Sequence, residues 1–224
     1  MERKTIIFTS LVITIIYIIY LLLDLFGFIR YIKLYMFSCT KYIKNYKNLN
    51  KNYKDKVVIS LTTTPDNMKN IKYVINSLLD QTIKVDSILL CIPYGSEYKV
   101  PIQLKDAVSI IRGGKKGQLT PLNVAINNEG ESTTKIIILG DNCIYGKDFI
   151  ETLIETSNEN PNDIICVGNS INLKKGAVFN TDFFNVDFLD DNIENTIIPF
   201  DKINNYFKNH KKIYIKYSEN YKVL

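Results

Sequence analysis

The chain has 224 residues, a formal net charge of +5, four cysteines and a single histidine. The charge excess is modest and much of it lies in one stretch near the N-terminus, which argues against a nucleic-acid partner. With His210 alone in a polar tail and no C-x-x-C spacing, a histidine-based triad or a zinc site has little to build on. Cys91, Cys143 and Cys166 each lie in or beside an apolar run, where a free thiol packs as a small hydrophobe; Cys39 is read the same way.

Taken in order, residues 1–4 form a short tail carrying Arg3 and Lys4. Residues 5–23, TIIFTSLVITIIYIIYLLL, contain no charge. As a helix they reach about 28 Å, close to the hydrocarbon thickness of a bilayer. The run is longer than a signal-peptide core and lacks a small-residue cleavage site, so it is read as a transmembrane signal anchor. Residues 24–56 read as a basic juxtamembrane stalk. Its first part, LFGFIRYIKLYMF, is rich in aromatics suited to a membrane interface. Its second part, KYIKNYKNLNKNYKDK, is either a solvated spacer or a segment lying on anionic lipid. Arg30, Lys33, Lys41 and Lys44, with further lysines beyond, outweigh Arg3 and Lys4. The positive-inside rule therefore favours a cytoplasmic soluble domain, and the absence of any N-x-S/T sequon points the same way. A lumenal domain stays open.

From residue 57 strand-like and helix-like segments alternate. VVISLTT (57–63) is a β-branched run of buried-strand length. Pro65 and Asp66 open a helical pattern with Met68, Ile71, Val74, Ile75, Leu78 and Leu79 on one face. SILLCI (87–92), AVSII (107–111), KIIIL (135–139) and DIICVG (163–168) are further strands. Thr120 and Pro121 read as an N-cap and first helical residue, and Phe149, Ile150, Leu153 and Ile154 line another helix. Such alternation predicts an α/β domain over residues 57–224, with a largely parallel sheet and helices on both faces. Ligands in such sheets gather beyond the carboxyl ends of the strands. That gathers three loops: Thr62 to Asp66, Arg112 to Thr120, and Gly140 to Tyr145. The region after residue 176 is less periodic.

The segment VVISLTTTPDNMKNIKYVINSLLDQTIKVDSILLCIPY resembles the opening of a group of GT-A-type, family-2-like glycosyltransferases. These have a strand ending in S-L-T-T-x-P, a helix ending near L-L-x-Q-T, and a strand closing on I-P-Y. GQLTPL is similar to their G-P-A-T-K-L segment, and IIILGDNCIYGKDFIETL to their acidic triplet followed by I-Y and a helix. The likeness covers residues 57 to about 170. It implies a GT-A (Rossmann-like) fold and a nucleotide-sugar donor such as a UDP-sugar. It also implies a divalent cation (Mn²⁺ or Mg²⁺) on the acidic triplet, and a glycan, lipid or protein acceptor. Mapped residue by residue, it implies a nucleotide site including Thr62, Thr63 and Asp66. Asp141 and Asn142 stand at the metal position, in Gly140-Asp141-Asn142 where the group has D-D-D. Asp190 and Asp191 are candidates for the late acidic position, so the catalytic candidates are Asp141, Asp190 and Asp191. The departures fall on the chemistry. Asn67 stands where Arg is usual, Lys115 replaces an acid, and Pro121 replaces a Lys.

A diphosphate leaving group needs its developing negative charge stabilised, commonly by a cation on hard oxygen ligands. Asp141 supplies a carboxylate, Asn142 only a neutral carbonyl, and Gly140 no side chain, so a weak metal site is expected. RGGKKGQLTP suggests a substitute: Arg112, Lys115 and Lys116 among glycines, ending at the helix start at Thr120. The same loop also reads as an ordinary basic turn. Two functions follow: a membrane-anchored hexosyltransferase-type enzyme with a modified metal motif, or a GT-A-fold protein that binds a nucleotide, glycan or protein without catalysis.

Overall fold

The structure is a computed structural model. It describes residues 2–25, 27–51, 53–95, 98–113, 117, 119–129, 133–168, 173, 175–184, 207, 211–215 and 222–223. The chain divides into two compact units, residues 1–37 and 38–224.

The first unit is a pair of helices, α1 (Glu2–Leu25) and α2 (Phe28–Met36). Residues 5–25 of α1 are apolar almost throughout and exposed at every position. A core helix of a soluble domain would be covered, whereas this one, with 21 residues in its apolar stretch, is long enough to cross a membrane. Gly27 breaks the helical run: it adopts φ 69°, a conformation glycine enters without steric cost, and its N–H donates to the Asp24 carbonyl at 2.9 Å.

The second unit begins inside the stretch read as a stalk. Helix α3 (Cys39–Lys47) buries Cys39, Tyr42, Ile43 and Tyr46 and packs against α4 (Ile71–Leu79). The Tyr46 hydroxyl accepts the Val85 N–H at 2.8 Å. Beyond α3, Tyr53 donates its hydroxyl to the Lys84 carbonyl, and Lys51 pairs with Asp86 at 2.8 Å. Asp86 also accepts the Val57 N–H at 2.8 Å. Apolar and tyrosine side chains at helical spacing thus seat residues 39–47 on the domain, and Lys51 and Tyr53 add an ion pair and a hydrogen bond, where lysine content alone suggests a spacer.

Among the described residues seven strands form one sheet in the order β3-β2-β1-β4-β7-β6-β8. They are β1 (Lys56–Thr62), β2 (Ser87–Ile92), β3 (Ser109–Arg112), β4 (Thr134–Leu139), β6 (Ile164–Val167), β7 (Ala177–Asn180) and β8 (Lys212–Ile215). A separate antiparallel pair joins β5 (Cys143–Ile144) to β9 (Lys222–Val223). Strands β1 to β4 are mutually parallel, with Ser60 level with Leu89 on one side and Ile138 on the other. Both faces of β1, β2 and β4 are covered, which is why they read as unbroken apolar runs rather than alternating ones, while β3 is exposed or half-buried along its length. On one face Val58, Leu89, Cys91, Ile136 and Ile138 share a core with Leu122 and Ala125 of α5 (Thr120–Glu129). Helix α6 (Phe149–Glu159) packs on β6 and β7.

The largely parallel expectation holds for β1 to β4 and fails at β7, which is antiparallel to both β4 and β6. The connection over residues 168–176 is too short for the crossover that a parallel strand requires. It closes on Gly176 at φ 134°, where an added Cβ would come within 3.1 Å of Val167 Cγ2 and 3.2 Å of Phe149 Cζ. The helix expected from Pro65 begins at Ile71, because residues 65–70 form turns in which the Met68 N–H donates to the Thr64 carbonyl at 2.9 Å. Thr120 is the first residue of α5 rather than its cap, and its hydroxyl instead accepts the Gly117 N–H at 3.1 Å.

Among the described residues of the sheet, one charged side chain is buried. Lys135 of β4 is buried, donates to Asn158 Oδ1 at 2.6 Å and Ser157 Oγ at 3.2 Å, and lies 3.6 Å from Asp55. Burial lowers its pKa and the Asp55 charge opposes that shift.

All four cysteines are free and buried. Burial raises the Cys39 and Cys91 thiols to about 11 and Cys166 to about 12. A thiol with neither access nor thiolate character is inert. Ellman's reagent at pH 8 is therefore expected to label no cysteine in the native chain and all four in guanidinium chloride; fast native labelling would contradict the packing described.

Candidate functional site

Chain order decides where the crevice lies. From β1 the sheet grows through β2 to β3 on one side and resumes with β4 on the other. The strand order therefore reverses between β1 and β4, and beyond their carboxyl ends the following loops part and leave room for a ligand. Those loops are residues 63–70 after β1 and Gly140–Asn142 after β4.

Asp141 bridges the two. Its carboxylate accepts the Asn67 side-chain amide at 3.1 Å and 3.0 Å, one distance to each oxygen, and the Thr64 N–H at 3.3 Å. Asp141, Asn142 and Asn67 are half-buried, and Thr64, Pro65 and Asp66 are exposed. Asn142 is turned along the chain, its Oδ1 accepting the Cys143 thiol at 3.3 Å. Behind them Tyr145 is fully buried and donates its hydroxyl to the Gly140 carbonyl at 2.8 Å, fixing where β4 ends.

Tyr98 joins this cluster from the β2–β3 connection. Its hydroxyl donates to the Thr63 carbonyl, and its own carbonyl accepts the Arg112 guanidinium at 3.4 Å. Burial raises the Tyr98 pKa, the Asp141 charge adds to the rise, and the Arg112 charge opposes it. Arg112 ends β3 and is exposed. Thr62 is half-buried and donates to the Cys91 carbonyl at 3.0 Å, while the Thr63 side chain is buried. The start of α5 lies against β1, since the Ser60 hydroxyl donates to the Pro121 carbonyl at 2.7 Å. Thr62, Thr63, Asp66, Arg112, Thr120, Asp141 and Asn142 are thus all found at the carboxyl edge of β1 to β4. Lys115, Lys116, Asp190 and Asp191 lie outside the described residues.

Sequence reasoning misses Tyr98 and reaches Thr64 only as part of the loop Thr62 to Asp66. Tyr98 stands in a connection with no periodicity, one tyrosine of 15, and nothing in its neighbours marks it. Asn67 is visible only as a departure from the family pattern.

A divalent cation fits the described donors poorly. Among the described residues no group of three or more His, Cys, Asp or Glu side chains comes together. Asp141 is the one acid of its triplet, and both of its oxygens already accept hydrogen bonds within the chain.

The fold does have a solved counterpart. The structure of S. aureus TarS 1–349, a glycosyltransferase, superposes with a TM-score of 0.51 at 12% identity, over 74% of this chain and 59% of that one. The domain has a glycosyltransferase-type α/β fold. At that identity the likeness concerns the fold, and this chain spans 59% of the TarS chain it matches. No family model matches the sequence, and no curated protein sequence matches it.

The Asp141–Asn67 contact makes a measurable prediction. Hydrogen bonds to a charged group contribute about 1.5–3 kcal/mol when buried; for a half-exposed pair about 1–2 kcal/mol is expected, or roughly 2–6 °C in Tm. Asp141→Ala and Asn67→Ala should each lose about that much. The double variant should lose less than the sum, leaving a coupling near 1 kcal/mol. Strict additivity in thermal denaturation would show that the contact does not hold the two loops.

Proposed function

We propose that the chain is a membrane-anchored, hexosyltransferase-type glycosyltransferase. It takes a nucleotide sugar such as a UDP-sugar into the crevice beyond β1 and β4 and passes the sugar to a glycan, lipid or protein acceptor. The observation that carries this reading is the cluster of Thr64, Asn67, Tyr98, Arg112 and Asp141 at the reversal point of a glycosyltransferase-type sheet. Thr62, Thr63 and Asp66 would line the nucleotide side. The diphosphate would meet Arg112, Lys115, Lys116 and the start of α5 at Thr120, with Mn²⁺ or Mg²⁺ on Asp141 and Asn142 contributing little. Asp190 and Asp191 would supply the late acidic position. The apolar helix α1 would hold the protein in the membrane, with the lysine and arginine excess after it keeping the domain cytoplasmic.

One observation favours a second reading, a binding protein without transfer activity: the carboxylate of Asp141 ties the loops after β1 and β4 together through Asn67 and Thr64, a structural role that needs no metal. Isothermal titration of the full chain in detergent with a panel of sugar nucleotides, with and without Mn²⁺, followed by donor-hydrolysis assays, separates the two. Binding with turnover supports the enzyme, binding without turnover the second reading, and no binding at all overturns both nucleotide assignments. Protease treatment of sealed vesicles tests the topology, and full protection of the domain would reverse it.

A further inference from the structure

We infer that α2 is an interfacial helix, lying in the membrane plane with its apolar face in the headgroup–acyl boundary. This rests on the reading that α1 spans the membrane. Phe28, Ile32, Tyr35 and Met36 are 46%, 48%, 56% and 70% exposed. At about 100° per residue these four positions fall within one arc of roughly 100° on the helix. Leu34, outside that arc, is fully buried. The helix therefore offers water a compact apolar stripe, a costly arrangement at about 25 cal/mol per Å² of apolar surface. Charge sits elsewhere: Lys33 is exposed at the margin of the stripe and Arg30 lies across the helix from it.

Continuity with α1 identifies what covers the stripe. Only Phe26 and Gly27 separate the last turn of α1 from α2, and Gly27 at φ 69° breaks the helical run there. Where an apolar helix leaves the hydrocarbon, the next residues meet the headgroup region. An aromatic and aliphatic face with an exposed lysine at its margin suits that layer on both counts.

Spin-label depth measurements on the full chain in vesicles of mixed zwitterionic and anionic lipid test this. Single labels are placed through Ile16→Cys, Phe28→Cys, Ile32→Cys, Lys33→Cys, Tyr35→Cys and Met36→Cys, and collisions with oxygen and with a water-soluble nickel complex are compared. The expected result is a deep label at position 16, one shared shallow depth at 28, 32, 35 and 36, and a nickel-accessible label at 33. Depth falling steadily from 28 to 36 would show instead that α2 continues the span. Equal nickel access at all α2 positions would place the stripe in water. Spin–spin broadening among the α2 labels would assign it to a second copy of the chain. Each of these three results overturns the inference while position 16 stays deep; a shallow label at 16 overturns the anchor reading itself.

Discussion

Replacing Phe179 with alanine is expected to cost about 3–5 kcal/mol of stability, well above the loss expected at the Asp141–Asn67 contact. Phe179 is fully buried in β7, opposite Ile136 of β4, and so sits where the parallel half of the sheet meets the antiparallel strand. Its ring lies 5.3 Å from that of Phe207 and 6.0 Å from Phe184, and the last two meet edge-on at 5.5 Å. Removing the middle ring takes out the shared partner of both neighbours and leaves a cavity that a central strand cannot collapse to fill. Tm should fall by roughly 10 °C or more at this chain length. Phe184→Ala, at a half-buried ring, should cost less, and Phe179→Leu should recover much of the loss. Denaturant unfolding of the full chain in detergent measures all three. A Phe179→Ala protein as stable as the parent would mean that this aromatic cluster does not form.

The strands are legible where the chain itself carries their reason. β1, β2 and β4 are apolar runs of buried-strand length, β1 rich in β-branched residues, bounded by Pro93, Gly140 or threonines. α4 and α6 declare themselves by apolar spacing on one face. β7 is not legible, because AVFN is four residues in a region without period and its place depends on pairing with β4 and β6. Tertiary context decides it. α3 misleads for a different reason: its lysines dominate the composition, while Tyr42, Ile43 and Tyr46, the residues that dock it, are spaced for one helical face. In the crevice, the resemblance picks out Asp141 but not its partners. Asn67 lies 74 positions away in sequence, and a hydrogen bond between two loops leaves no local pattern.

The second large effect concerns the basic loop. In the proposed enzyme, Lys115→Ala/Lys116→Ala is expected to weaken nucleoside-diphosphate binding by on the order of a hundredfold or more. Two charge-assisted hydrogen bonds of about 1.5–3 kcal/mol each would be lost. The loss should be the same in EDTA and in Mn²⁺. Asp141→Ala should behave differently. Its carboxylate accepts the Asn67 amide and the Thr64 N–H, so removing it loosens the turn after β1 and weakens binding modestly, again without regard to Mn²⁺. Two physical facts set this order. The Asp141 carboxylate already accepts three hydrogen bonds, which occupy most of its lone pairs, and one carboxylate beside a neutral amide is a poor site for a hard dication. In the proposed enzyme Lys115, Lys116 and Arg112 would bring positive charge to the diphosphate whether or not a cation is present. Titration of each variant with UDP in EDTA and in Mn²⁺ measures both effects. Strong Mn²⁺ dependence that disappears in Asp141→Ala, with the lysine variant unchanged, would make Asp141 a metal ligand and the basic loop ordinary surface.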